Sequence, residues 1–191
     1  MTELVTPVFK SIEQALHVSF LMEILPATQK SAMQSMIDRM LEDAGIVQER
    51  EVGTINFGGL SSLEIRGQCA MVRGAVLHHL NQPEIDVVHA RYGYHFLKGQ
   101  GIKGVRDRSL PMMSTKNDWA TLAMTVSVYG SAKQREEFST RMIAKEWGLS
   151  QSTVVRDIKI IRNTARAIHQ QACDKLNSFF ELHGLVGAEY Y

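Results

Sequence analysis

The stretch that most limits how this chain can fold covers residues 140–163 and reads TRMIAKEWGLSQSTVVRDIKIIRN. Gly148 accepts a left-handed turn at little cost, and Ser150 is a strong N-cap for a following helix. We expect the Ser150 hydroxyl to accept a hydrogen bond from the amide of Ser152 or Thr153. The stretch therefore predicts two helices joined by a tight turn, rather than one continuous helix.

Small and apolar residues occupy the positions where these two helices would meet. Val154, Ile158 and Ile161 recur at i, i+4 and i+7, which predicts one buried stripe on the second helix. Ala144 is the small residue one turn before the break, and Leu149 follows the glycine. A helix-turn-helix needs such a frame to hold its helices at a fixed crossing angle. The same frame also occurs in a helical hairpin that only packs into a core.

The side chains off the stripe have the chemistry of DNA recognition. Arginine can bond to guanine, glutamine to adenine, and Val155 can touch a thymine methyl group, while basic residues and helix-start amides hold phosphates. Asp157 is expected on the same outward face, where it would repel a phosphate unless a neighbouring cation pairs with it. If the hairpin is only core packing, these charges are simply solvated. The predicted DNA-binding residues are Arg141, Lys145, Ser150, Gln151, Ser152, Thr153, Val155, Arg156, Lys159 and Arg162.

Charge is unevenly distributed along the chain. The net charge is only +1, yet residues 98–166 contain 13 Lys and Arg against 6 Asp and Glu. A basic region of this kind is a candidate footprint for phosphates. Charges scattered over a solvated surface would give the same count.

The N-terminal half is dominated by helical periodicity. A fourfold spacing of apolar residues predicts an amphipathic helix over residues 9–25, and a methionine-rich stripe predicts a second over residues 28–44. Residues 52–59 predict a loop or a short extended segment. Ser61 and Glu64 have the spacing of a capping box, which predicts the start of another helix.

That helix is expected to end near Leu80. Pro83 suits the first turn of the next one, predicted over residues 83–96. Residues 98–118 contain three glycines, a proline and several basic side chains, and they predict an exposed basic loop or linker. The loop either meets a phosphate backbone or only connects two parts of the chain. A helix over residues 119–129 follows, broken at the next glycine.

These elements together predict an all-α protein, a helical bundle with a C-terminal helix-turn-helix module. The expected parts are an N-terminal helical region over residues 1–97, the basic loop or linker over 98–118, and a C-terminal domain over 119–191 with a long terminal helix. An apolar stripe that continues to Phe179 extends this last helix, and Gly184 ends it.

The sequence contains no clear motif for catalysis or for metal binding. Cys69 and Cys173 are isolated, which suits reduced core residues, and the adjacent His78 and His79 point in different directions around a helix. The glycines of GQGIKG lack the preceding strand of a dinucleotide site. We expect no enzyme, no cofactor and no metal. No apolar run approaches the ~18 residues of a membrane span, so a cytoplasmic protein is expected.

The segment MIAKEWGLSQSTVVRDIKIIRNTA resembles the helix-turn-helix of sigma-factor region four and of related phage transcription regulators, over about 25 residues. The whole layout, with SLEIRGQCAMVRGAVLHHL and VVHARYG upstream, is similar to that of the Q-type phage late-gene antiterminators. That resemblance implies a protein that binds DNA near a late promoter, joins paused RNA polymerase and lets it pass terminators. By the same resemblance, Ser150, Gln151, Ser152, Arg156 and Lys159 are the DNA-reading positions.

The chain departs from those family members that carry a cysteine zinc finger, so the resemblance does not extend to a zinc-dependent role. We expect a sequence-specific DNA-binding transcription regulator, most concretely a phage antitermination protein. A conventional repressor or activator, or a DNA-packaging adaptor, would use the same motif. The expected partners are double-stranded DNA, RNA polymerase or a sigma factor, and a second copy in a homodimer, inside a bacterial or phage-infected cell.

Overall fold

The computed structural model describes residues 7–25 and 59–187, and the regular structure in these ranges is helical. Within them, extended backbone pairs only at an isolated parallel bridge between Phe9 and Val186. The prediction of an all-α fold is confirmed for these residues. None of the helices described here has the length and apolar character that a membrane span requires.

Eight α-helices and one 3-10 turn occur in the described part of the chain. The helix predicted over residues 28–44 lies outside it, as does the segment predicted over 52–59 except for Gly59. In chain order the helices are α1 (Ile12–Ile24), α2 (Ser62–His79), α3 (Gln82–Tyr92), α4 (His95–Ser109), the 3-10 turn (Leu110–Met112), α5 (Asp118–Tyr129), α6 (Ala132–Glu137), α7 (Thr140–Glu146) and α8 (Gln151–Leu182).

The chain forms two compact units. One consists of Met1–Leu80 together with Cys173–Tyr191, and the other consists of Asn81–Ala172. Helices α1 and α2 belong to the first unit, and α3 to α7 belong to the second. The long helix α8 contributes its first 22 residues to the second unit and its remainder to the first.

In the first unit, helix α1 is buried on all sides rather than on one face. Residues 15–22 are all buried, so the prediction of an amphipathic helix is wrong, although the helix itself is present. Two arginines of α2 also donate hydrogen bonds to the backbone of α1 and of Leu25, which follows it. Arg66 donates to the carbonyl oxygen of Leu25 at 2.7 Å, and Arg73 donates to that of Ser19. These contacts satisfy carbonyl groups in and just after the last turns of α1.

Helix α2 begins with the predicted capping box. The Ser61 hydroxyl accepts from the Glu64 amide at 3.3 Å, and the Glu64 carboxylate accepts from the Ser61 amide at 2.7 Å. Hydrogen bonds from the Ser61 side chain and backbone lower the pKa of Glu64. The helix ends at His79, with Leu80 as its C-cap, as the sequence predicts.

In the second unit, the helix predicted over residues 83–96 is divided in two. Pro83 does lie in the first turn of α3, but α3 ends at Tyr92 and α4 begins at His95. Gly93 caps α3, and His95 has a positive φ of 46°. The chain therefore turns between two helices at a point where periodicity alone suggested continuation.

The prediction of an exposed loop over residues 98–118 is wrong for most of its length. Helix α4 and the 3-10 turn occupy it up to Met112. Gly101 has a different role from that of a loop glycine, because α4 packs closely against α3 at this position. A Cβ atom at Gly101 would lie 2.5 Å from the carbonyl oxygen of Asp86 and would also overlap the amide nitrogen of Ala90. Glycine here permits close helix packing rather than loop conformation.

Replacing Gly101 by alanine should lower the free energy of unfolding by about 2 kcal/mol. Overpacking typically costs ~1–3 kcal/mol, and the gain in helix propensity recovers at most ~1 kcal/mol. Gly99→Ala is the matched control, since it lies in the same helix with open space around it and should be neutral or slightly stabilising. Urea denaturation followed by circular dichroism measures both. If the two variants are equally stable, α3 and α4 can move apart far enough to accept the added methyl group without a loss of stability.

The core of the second unit is formed by residues from most of its helices. Ile143 of α7 and four residues of α8 contribute to it. Ala123 and Met124 add the inner side of α5, where the predicted helix over 119–129 is confirmed. The buried members of this cluster are Val87, Ala90, Ile102, Val105, Met113, Ala123, Met124, Ile143, Val154, Ile158, Ile161 and Ala165.

Candidate nucleic-acid interface

The turn between α7 and α8 has the predicted backbone. Helix α7 ends at Glu146, and Gly148 has a φ of 61°, in the left-handed region that favours glycine. The amide of Leu149 then donates to the carbonyl oxygen of Ala144 at 2.9 Å, which closes the turn. Four residues therefore separate the two helices.

Ser150 caps α8 as predicted. Its hydroxyl accepts from the amide of Thr153 at 3.1 Å. The same oxygen lies 2.9 Å from the hydroxyl of Ser152 and 2.8 Å from that of Thr153. The three hydroxyl groups form one cluster at the start of α8, so Ser150 orients two of the side chains predicted to contact DNA.

The predicted inward stripe of α8 is confirmed. Val154 and Ile161 are fully buried, and Ile158 is nearly so. They share a cluster with Ile143 of α7, and Leu149 in the turn packs against it. This burial fixes α8 about its own axis, which determines the side chains that point to solvent.

The predicted DNA-binding side chains lie mostly on the opposite, exposed side. Val155 is 51% exposed although it is apolar. Gln151 is also held from α7, since its amide nitrogen lies 3.4 Å from the hydroxyl of Thr140. Thr153 is only half-exposed, because it also belongs to the cap. The exposed members are Arg141, Lys145, Ser150, Gln151, Ser152, Val155, Arg156, Lys159 and Arg162.

Asp157 does not lie on this outward face, and the prediction that it does is wrong. Its side chain is fully buried. One carboxylate oxygen accepts from the amide of Ser114 and the other from the amide of Thr115, each at 2.9 Å. The spacing of three from Val154 would have placed Asp157 on the buried side, since i and i+3 share a helix face. The outward face therefore loses its one predicted negative charge.

The segment between the 3-10 turn and α5 is consequently fixed to α8. Met113 and Thr115 are buried there, on either side of Ser114, whose amide donates to the Asp157 carboxylate. Lys116 donates from Nζ to the carbonyl oxygen of Leu110 at 2.8 Å. This part of the predicted loop has an irregular backbone, and three hydrogen bonds hold it in place.

Charge follows the division into two units. Residues 81–172 contain 14 Lys and Arg against 8 Asp and Glu, whereas the rest of the chain contains 7 against 12. The unit that holds α7 and the start of α8 is thus the basic one. A positive unit attracts a polyanion, and its binding should weaken as salt increases.

Histidines and cysteines in the described ranges do not gather into a metal site, since no group of three His, Cys, Asp or Glu side chains could hold an ion there. Cys69 is buried and Cys173 is half-buried, and both are free thiols. His169 has a structural contact that the sequence did not suggest. Its Nε2 lies 2.9 Å from the hydroxyl oxygen of Tyr92, and both side chains are buried.

Comparisons with known proteins add no family to these observations. No protein-family model matches the chain, and no curated protein matches it.

Proposed function

We propose that this protein is a sequence-specific DNA-binding transcription regulator that reads the major groove with the start of α8. The observation that carries the proposal is the arrangement of α7, the Gly148 turn and α8. A buried stripe fixes the axial orientation of α8, and the exposed side presents Gln151, Arg156 and Lys159. These side chains have the chemistry that distinguishes base edges and contacts phosphates.

Two further features support this proposal over simple core packing. Core packing explains the inward residues, but it does not require an exposed valine at position 155 between polar and basic neighbours. Such a side chain suits contact with a thymine methyl group. The burial of Asp157 also leaves the outward face of α8 without a carboxylate between Gln151 and Arg166.

Selection from a pool of randomised duplexes tests the proposal. We expect enrichment of a common sequence, bound at least 1,000-fold more tightly than random DNA, as is usual for specific readers, with log K falling linearly as log salt rises. Fluorescence anisotropy between about 50 and 200 mM salt measures that slope. If no sequence is enriched and the binding constant does not change with salt concentration, a DNA-reading role is contradicted.

Antitermination is the most concrete form of this proposal, and its support is the resemblance to the Q-type phage antiterminators. Such a protein would contact RNA polymerase as well as DNA. A transcription assay across a terminator, with and without the protein, distinguishes it from a repressor or activator, because only an antiterminator increases read-through. A DNA-packaging adaptor would instead form a ring, which light scattering detects as a high-order oligomer.

A further inference from the structure

Helix α2 has a second apolar face, which points to solvent. Its inner side is buried in the first unit through residues such as Ile65, Cys69 and Val72. A surface helix normally has polar residues on its outer face, whereas every exposed position of α2 before His78, apart from Glu64, is apolar or glycine. The exposed positions of α2 are Leu63, Glu64, Gly67, Ala70, Met71, Gly74, Leu77, His78 and His79.

Five of these exposed residues have the spacing of a coiled-coil seam. Leu63, Ala70 and Leu77 recur every seven residues, and Gly67 and Gly74 lie between them at alternating steps of four and three. Leu63 is 80% exposed and Leu77 is 65% exposed. A Cβ atom added at either glycine would meet no atom of the described residues within 4 Å. These five residues, here called the α2 seam, extend over about 21 Å of helix and are open to a second helix.

The α2 seam is complementary to itself when a second copy lies antiparallel to it. Large and small residues alternate along it, so an alignment that places Leu77 of one copy over Gly67 of the other also places Ala70 against Gly74. A two-fold axis makes each contact occur twice. The open space over Gly67 is then filled by a leucine that is itself exposed in the single chain.

The same alignment brings opposite charges together. Glu64 and His78 are both exposed and flank the α2 seam on one side, and the two-fold axis places Glu64 of each copy beside His78 of the other. On the other flank, Arg66 and Arg73 already donate to carbonyl groups of Leu25 and of α1. An exposed pair of this kind adds little affinity, but it favours the antiparallel direction.

We propose that the α2 seam is a dimer interface, on which a second copy of this chain packs its own α2 in the antiparallel direction. An interface that uses the same surface on both copies closes at two, so we expect a dimer and no larger assembly. A helix face about 21 Å long and ~10 Å wide covers only ~200 Å² per copy, against ~800 Å² in a standard interface. We therefore expect a weak, reversible dimer, with a Kd of about 1 to 100 µM.

Gly67→Gln is the sharpest test, because it should change stability and association in opposite directions. Glutamine is the better helix former, and the single chain has room for it, so the melting temperature at about 1 µM protein should stay equal or rise. In the dimer the new side chain occupies the space that Leu77 of the other copy fills. The dimer Kd should therefore increase at least tenfold, as measured by sedimentation velocity on the full chain between about 1 and 500 µM.

Gly99→Gln is the matched control, since it makes the same change at another exposed helical glycine with open space around it. It should leave the dimer Kd within about twofold of its original value. If the two glutamine variants weaken association equally, the α2 seam is not the interface. The proposal is also wrong if the unmodified chain remains monomeric up to about 500 µM, or if it forms assemblies larger than two copies.

Substitutions at His78 test the direction of the pair. His78→Glu places like charges beside each other at both ends of the interface, so the Kd should increase about threefold or more at low salt. His78→Lys keeps a cation beside Glu64 and should leave association equal or tighter. The opposite order of the two variants would contradict the antiparallel alignment.

The dimer does not depend on the proposed function, and the two fail separately. A chain that stays monomeric while it selects a DNA sequence overturns the dimer alone. A dimer that binds no duplex contradicts DNA reading alone. When both are right, the two-fold symmetry of the protein predicts that the selected sequence is an inverted repeat.

Discussion

Replacing Arg156 and Lys159 together by alanine should lower the affinity for a selected duplex about 100-fold and remove most of its preference over random DNA. A bidentate arginine contact to a base is worth ~1–3 kcal/mol, and the lysine adds a phosphate or base contact, so about 2.7 kcal/mol is expected. Both side chains are exposed on α8. The melting temperature should therefore stay the same, since exposed substitutions usually change stability by less than ~0.5 kcal/mol.

Lys103→Ala with Arg108→Ala is the matched control for that experiment. Both residues are exposed on α4, and the double substitution removes the same charge from the same unit. It should weaken binding to selected and random duplexes by the same small factor, so the ratio of the two affinities should not change. If the α8 variant also keeps the ratio, the reading role of α8 is wrong. Competition binding with both duplexes gives the ratio directly.

Replacing Asp157 by alanine should lower the free energy of unfolding by about 3 to 4 kcal/mol. The buried amides of Ser114 and Thr115 would both lose their acceptor, and each unsatisfied buried group costs ~1–3 kcal/mol. Asp157→Asn keeps one carbonyl oxygen and should have about half that effect. Arg166→Ala, at an exposed position on the same helix, should change stability by less than ~0.5 kcal/mol.

Hydrogen exchange gives the most direct measurement for the Asp157 variants. The amides of Ser114 and Thr115 should exchange faster in Asp157→Ala, because their acceptor is gone and the segment that precedes α5 is released. Amides in the middle of α2, in the other unit, serve as the internal reference. Unchanged exchange at both positions would mean that the carboxylate does not hold this segment.

Local patterns were sufficient for much of this structure. The capping box at Ser61 and Glu64, the first-turn Pro83 and the turn at Gly148 all appear as predicted, because each depends on hydrogen bonds or backbone angles within a few residues. The same applies to Ser150 as the cap of α8. Such features need no information about the rest of the fold.

Predictions failed where a distant segment changed the meaning of a residue. Gly101 suggested a loop, yet it lies where α3 crosses α4 without room for a Cβ atom. Asp157 suggested an exposed charge, yet it is the acceptor for two amides more than 40 residues away. The sides of α1 opposite its apolar stripe are also covered by other elements. In each case the partner belongs to another segment, beyond the few residues over which periodicity carries information.

By itself, the sequence determined the helical class, the positions of several helix ends, and the two-helix hairpin with Val154, Ile158 and Ile161 inward. Local hydrogen bonding and the 3.6-residue period are enough for these, since both act over a few residues. Only the tertiary structure decided that Asp157 is buried and that Gly101 lies where α3 and α4 pack too closely for a Cβ atom. Their neighbours belong to other segments of the chain, so burial and close packing at these positions arise only when those segments come together.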